Sequence, residues 1–217
     1  MEYRTIADSC EASLTEKRSE FIAQLAPVTK AEEAAALIEQ IRAKHHKARH
    51  HVWAYRLRTD GAIRYSDDGE PQGTGGVPVL SVLQKADLCD LCCVVTRYFG
   101  GVLLGASGLT RAYSAAAALA VQNAKIQCFC QAVRLQITMD YPLYGKVTYI
   151  LPDFGILEVS SQFSDQVTLC LDIKKETHPL LEARLTELSC GTIRTEVLME
   201  HYADFASVSP ALPQVLL

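Results

Sequence analysis

Residues 88–99, LCDLCCVVTRYF, are almost continuously apolar. A strand-length run without polar alternation reads as a buried central strand. The segments on either side narrow the choice further. GGVLLGASG (100–108) is a glycine loop, and LTRAYSAAAALAVQNA (109–124) is an alanine-rich helix able to pack close to a sheet. The same order stands just upstream. Asp60-Gly61 turns the chain into the short strand AIRYS, an earlier glycine loop covers residues 66–76, and VPVLSVLQKA (77–86) reads as a helix with Pro78 in its first turn.

The remaining elements fit an α+β chain. FIAQLAPV (21–28) reads as a strand after an exposed hairpin. Thr29 is expected to cap the helix TKAEEAAALIEQIRAKHH, with Glu32 at the capping-box position. HHVWAYRLR (50–58) alternates as a strand. The last third has its own rhythm. AVRLQITM is a strand, Asp140 stands ready to cap the helix YPLYGKVTYILPD, and ILEVSSQF and QVTLCLDI are strands joined by the turn SD. THPLLEARLTELS is a helix and TIRTEVLMEHY a final strand. That βαββαβ order is the ferredoxin-like plan. Two domains are therefore expected, 1–131 and 132–205, with 206–217 as a poorly ordered tail.

Composition enters mainly by exclusion. Of 217 residues 49% are hydrophobic and 21% charged, an ordinary globular balance, and no apolar run approaches the roughly 20 residues of a membrane span. MEYRTIADSCEA lacks the basic and apolar regions of a signal peptide, and eight cysteines without one suggest reduced thiols and a cytoplasmic protein. The net charge of −4 is unevenly spread: residues 132–217 hold six Lys/Arg against eleven Asp/Glu, whereas 1–131 are nearly balanced. Within 42–58, RAKHHKARHHVWAYRLR, there are six Lys/Arg, four histidines and no acid. A solvated helix end explains such a run; so does contact with phosphate, for which Arg42, Lys44, Lys47 and Arg49 are the candidates.

The loop YSDDGEPQGTGG is not a Walker loop, lacking Gly-Lys-Ser/Thr, nor a dinucleotide fingerprint. Generic physics remains. Backbone N–H groups of Gly73, Thr74, Gly75 and Gly76 precede a helix N-terminus, which favours an anion, while Asp67, Asp68 and Glu70 would repel one unless they point away. The second loop adds Arg97, Tyr98, Gly100, Gly101, Gly105, Ser107, Gly108 and Arg111, and two such loops at strand ends can converge on one concave site. His46 and His50 are four apart, but no H-E-x-x-H glutamate accompanies them. CDLC (89–92) with CFC (128–130) mimics a zinc ribbon, yet residues three apart on a strand face opposite sides, and these cysteines read as small buried hydrophobes. No metal and no cofactor are called for.

Taken together, ARHHVWAYR, SDDGEPQGTGGVPVL and VTRYFGGVLLGASGLTRAY resemble the IMPACT family in its bacterial, YigZ-type form. The resemblance covers about residues 15–125, and the third motif is highly specific. It implies an N-terminal fold similar to the second domain of a small-subunit ribosomal protein. The ferredoxin-like unit matches an extra domain similar to one of elongation factor G. Residue by residue it marks His50, Asp67, Asp68, Gly69, Glu70, Pro71, Gly73, Thr74, Gly75, Pro78, Arg97, Tyr98, Gly100, Gly101, Gly105, Gly108 and Leu109. Arg49 departs from the small Thr or Ser common there, and Ser107 stands where glycine is frequent. Eukaryotic relatives are linked to translational control, and no established enzymatic activity comes with the bacterial family.

The resulting expectation is a non-enzymatic, ribosome- or RNA-associated protein with a role in regulating translation. In it the loop acids order the loop or meet Arg97. The rivals are an enzyme on a phosphorylated small molecule, with Arg97 and Arg111 on the anion, Asp67, Asp68 or Glu70 on a divalent cation and His50 as acid or base, and a protein-interaction module.

Overall fold

The computed structural model describes residues 2–206, so all but the first residue of the expected tail lies outside the described residues. Contacts divide the chain into two units, one running Tyr3–Gln127, the other joining Glu2 to the chain from Cys128 onward. No helix among the described residues is long and apolar enough to cross a membrane.

In chain order the first unit contains β1 (Tyr3–Ile6), β2 (Cys10–Glu16), β3 (Ser19–Pro27), α1 (Ala31–Lys44), β4 (His50–Arg56), β5 (Ile63–Ser66), α2 (Gly76–Lys85), β6 (Leu91–Tyr98) and α3 (Gly105–Asn123). The sheet runs β2-β3-β6-β4-β5 with every pairing antiparallel. The apolar run is its central strand. Leu91, Cys93 and Val95 join the core under α2 and α3, while Cys92 and Val94 join the core under α1. Each such fully buried aliphatic side chain contributes about 1.5–3 kcal/mol, so neither layer is dispensable.

Two local expectations are corrected. The helix opens at Ala31, one residue later than a cap at Thr29 requires, and Glu33 rather than Glu32 reaches back: its Oε2 accepts from the Thr29 N–H at 2.7 Å. The alanine-rich helix begins at Gly105 instead of 109. Its first turn, GASG, has poor intrinsic propensity, and of its four residues only Gly108 is buried.

The second unit contains β7 (Ile126–Met139), α4 (Tyr141–Ile150) with a 3-10 turn over Leu151–Phe154, β8 (Leu157–Phe163), β9 (Val167–Lys174), α5 (His178–Ser189) and β10 (Arg194–Asp204). The four long strands lie in the order β10-β7-β9-β8, all antiparallel, which is the ferredoxin-like topology. Val133, Leu135, Ile137 and Met139 point into the core with Leu169, Leu171, Leu181 and Leu185, as strand alternation demands. β7 starts six residues before the expected 132, because its N-terminal half continues the ladder with β10 back to Phe129. Asp140 has the extended backbone of a cap, but its carboxylate accepts from Gln166 Nε2 at 2.9 Å and makes no cap bond. On the other face Arg134 Nε and Nη2 donate to Asp172 at 2.8 and 2.9 Å, and His201 Nε2 lies 3.1 Å away. Burial would raise the Asp172 carboxyl, but these two partners outweigh it and hold the group below its ordinary value.

Candidate functional site

β4 and β6 pair so that His50 lies opposite Arg97, and both glycine loops meet the sheet at this end. Arg97 follows Leu91, Cys93 and Val95 on the α2/α3 face, so its guanidinium is carried inward; only 6% of the residue is exposed. The first loop folds over it. Glu70, equally buried, accepts through Oε1 from Arg97 Nη1 at 2.7 Å and from the Tyr113 hydroxyl at 2.7 Å. The guanidinium carbon sits 5.5 Å from the Phe21 ring centre and 5.6 Å from that of Phe99, and Phe21 meets Tyr113 edge-on. Burial, then the Glu70 charge, pushes the Tyr113 phenol well above its ordinary value, so it remains a donor. Arg97 Nε is buried without a hydrogen-bond partner.

Asp67 answers the question of an anion at the second helix. Its Oδ1 accepts from the Gly75 and Gly76 N–H groups at 2.9 and 2.8 Å, and its Oδ2 from Gly73 at 2.9 Å. Three of the four backbone donors expected to cradle a ligand thus hold the protein's own carboxylate, at the helix end where negative charge is favoured, and the fourth, Thr74 N–H, donates to the Pro71 carbonyl. Gly75 and Gly76 are needed for this approach: a Cβ would come within 2.7 Å of Val52 at one and 2.9 Å of the Ser66 backbone at the other. Burial would raise the Asp67 carboxyl, but the three N–H donors more than offset it and leave it below its ordinary value. Its contribution is therefore full above the unfolded value of about 3.9 and lost as pH falls through the lower folded one. Asp67→Asn is expected to destabilise the first unit by about 1–2 kcal/mol at neutral pH. Urea unfolding should show that difference shrinking as pH falls below about 3.9.

Asp68 fastens the other side of the loop. With φ of +45° it directs Oδ1 to Arg42 Nη2 at 2.7 Å and Oδ2 to the His51 N–H at 2.6 Å. Its carbonyl accepts from His50 Nδ1 at 2.9 Å. Thr74 donates from its hydroxyl to the Pro71 carbonyl at 2.6 Å. Tyr98 pairs its hydroxyl with His45 Nδ1 at 3.0 Å. Burial lowers the buried His51 imidazole below its usual range, against the opposing charge of Asp68, and its Nδ1 lies 3.1 Å from Thr96 Oγ1.

His50, Asp67, Asp68, Glu70, Gly73, Thr74, Gly75 and Arg97 are thus brought together as a scaffold that bonds mainly within itself, with Arg97 Nε left over. Gly101, Gly105 and Arg111 lie on the exposed far side; Arg111 lines a groove of about 430 Å³ with Lys17, Leu104 and Gly108. Of the basic candidates, Arg42 is taken by Glu39 and Asp68 and Lys44 by Glu11. Lys47 and Arg49 are exposed and form no ion pair among the described residues.

The Impact N-terminal domain model matches residues 17–121, and the model of a domain of unknown function, DUF1949, matches 137–192. The IMPACT family member YvyE of Bacillus subtilis (strain 168) is 33% identical over 190 residues, 87% of this chain and 88% of its own length. The chain belongs to the IMPACT family. The family member YigZ of Escherichia coli (strain K12) is 30% identical over 187 residues, covering 85% of this chain and 92% of YigZ. A solved structure of a hypothetical protein aligns with a TM-score of 0.58 at 28% identity, over 91% of this chain and 98% of that one.

Two features of this IMPACT-family site escape the sequence. Tyr113 closes the motif LTRAY four residues after Leu109, so helical periodicity alone assigns it to the core and hides its hydroxyl. Lys17 and Arg18 lie some eighty residues upstream of the loop they touch. Their visible signal is the polar EKRS turn, where both adopt left-handed backbone.

Proposed function

We propose that this IMPACT-family protein works without catalysis, binding RNA on the ribosome and so regulating translation through the exposed end of its first unit. One observation carries the reading. Lys17, Arg18, Arg49 and Arg111 are all exposed and without an ion pair among the described residues, and they lie about the loop 99–104. The β2–β3 turn packs its Arg18 backbone against Gly100, Lys17 and Arg111 share one groove, and Arg49 leads into the strand beside Tyr98. Among them Phe99 is 54% exposed and Leu103 82%. Cations around an open ring suit a single strand, whose phosphates take the charge and whose bases stack. The net charge of −4 does not oppose this, because a local field governs encounter.

Apart from Arg111, the groups an enzymatic reading would use are committed elsewhere. Arg97 is neutralised by Glu70, Asp67 caps α2, Asp68 holds Arg42, and His50 donates to a carbonyl.

Four phosphate contacts to a single strand imply a slope of log K against log salt of about −2.8. Charge reversal of Arg18 and Arg49 together should flatten that slope by about 1.4 and weaken binding across sequences. Filter binding of RNA and co-sedimentation with ribosomes over a salt series measure both. Binding indifferent to salt, or to the two reversals, would overturn the proposal.

A further inference from the structure

Cys128 and Cys130 are two apart on β7, so both side chains leave the strand on one face. They are 2% and 5% exposed, and the fully buried Phe205 belongs to the same apolar cluster. Both converge on Glu2. The Cys128 Sγ lies 3.0 Å from one carboxylate oxygen and the Cys130 Sγ 3.5 Å from the other. The ligand atoms of these three residues all fall within 4.8 Å of one another, and among the described residues no other group of His, Cys, Asp and Glu does so. The CFC stretch therefore makes no ribbon with Cys89 and Cys92. Cys92 faces the α1 core, and the Cys89 thiol lies 3.4 Å from the Arg4 carbonyl.

We propose that Glu2, Cys128 and Cys130 bind a thiophilic divalent cation of the zinc type. Two sulfurs on one strand face and a carboxylate across from them supply three protein ligands, leaving the fourth position of a tetrahedron open. The donor set selects the ion. Calcium and magnesium take oxygen ligands, and a carboxylate is a poor partner for copper(I), whereas zinc accepts both sulfur and oxygen. The open side is a pocket of about 260 Å³ whose wall includes Cys130, Gln131, Lys174 and Lys175, so the ion has a route in and a solvent ligand has room.

Charge also closes. On binding, both thiol protons pass to solvent; two thiolates, one carboxylate and a divalent ion sum to −1. The Lys174 ammonium, 3.8 Å from Glu2 Oε2, stands where it offsets that charge and orients the carboxylate from outside. As plain hydrogen bonding the arrangement is weak, since a thiol is a poor donor.

Cobalt(II) titration of the metal-free, reduced full-length chain tests the site. The expected result is one equivalent bound, with a thiolate-to-cobalt charge-transfer band sized for two sulfurs and displaced by zinc. Cys128→Ser with Cys130→Ser should abolish the band, while Cys89→Ser with Cys190→Ser should leave it intact. Glu2→Gln, at a half-exposed side chain, should keep the band and weaken binding by at least tenfold, since even outer partners cost about 10–100-fold. No band in the wild-type chain, a band surviving the 128/130 double variant, or unchanged affinity in Glu2→Gln would each overturn the assignment. Should the double serine variant fail to fold, the wild-type titration and Glu2→Gln decide alone.

Discussion

Glu70→Ala is expected to cost the first unit about 3–5 kcal/mol, much of the margin by which a domain stays folded. The substitution strands a guanidinium that is almost wholly buried, with Nε already lacking a partner, and leaves the Tyr113 hydroxyl with no acceptor. The cost comes from the orphaned charge, not from the worth of the pair, because desolvating both ions offsets most of their attraction. Three companion variants separate these effects. Tyr113→Phe removes one neutral donor and should cost about 1 kcal/mol. Glu70→Gln keeps an oxygen for Tyr113 and should fall between. Glu70→Met with Arg97→Met removes both charges and should recover most of the loss. The chain has a single tryptophan, Trp53, on the strand paired to the start of the loop, so urea unfolding followed by its fluorescence reads the affected unit directly. A loss below about 1 kcal/mol for Glu70→Ala would mean the pair is solvated and the loop is not clamped over Arg97.

The same pair shows what the sequence makes legible. Period-two reasoning places Leu91, Cys93, Val95 and Arg97 on one face, and acids within the preceding loop make a partner for Arg97 foreseeable. Which acid partners it depends on loop geometry: Asp67 is drawn to three N–H groups, Asp68 turns outward on a left-handed backbone, and Glu70 alone reaches inward. Composition cannot reveal that the helix N-terminus already holds its own carboxylate. Periodicity over 132–193 is strong and the βαββαβ order follows from it. The long first half of β7 is missed because burial changes phase along it, with Cys128, Cys130 and Ala132 buried before Val133 and Leu135. Contacts between distant segments are the least readable. Nothing in EKRS announces that it packs on a glycine some eighty residues away.

That last contact supplies a second large effect. Gly100→Ala is expected to destabilise the first unit by about 2–3 kcal/mol, at the upper end for an overpacked site. A Cβ built there would lie 2.0 Å from both the carbonyl carbon and the oxygen of Arg18 and 2.4 Å from the Ser19 nitrogen. These are backbone atoms, so no rotamer change relieves the overlap; either the β2–β3 turn or the loop must shift. A shift also breaks the Gly100 N–H bond to Ser19 Oγ at 3.1 Å. Gly101→Ala is the contrasting case. It has φ of +83° and nothing within 4 Å of the new methyl, so only local strain of about 1 kcal/mol opposes it. Because the turn carries Lys17 and Arg18, Gly100→Ala should also weaken the proposed RNA binding and flatten its salt slope while leaving all four rim cations in the sequence. Gly101→Ala should leave the slope unchanged. Equal stability for the two alanine variants, or an unaltered slope for Gly100→Ala, would show that the turn does not rest on the loop, and the gathering of cations around Phe99 would lose its physical basis.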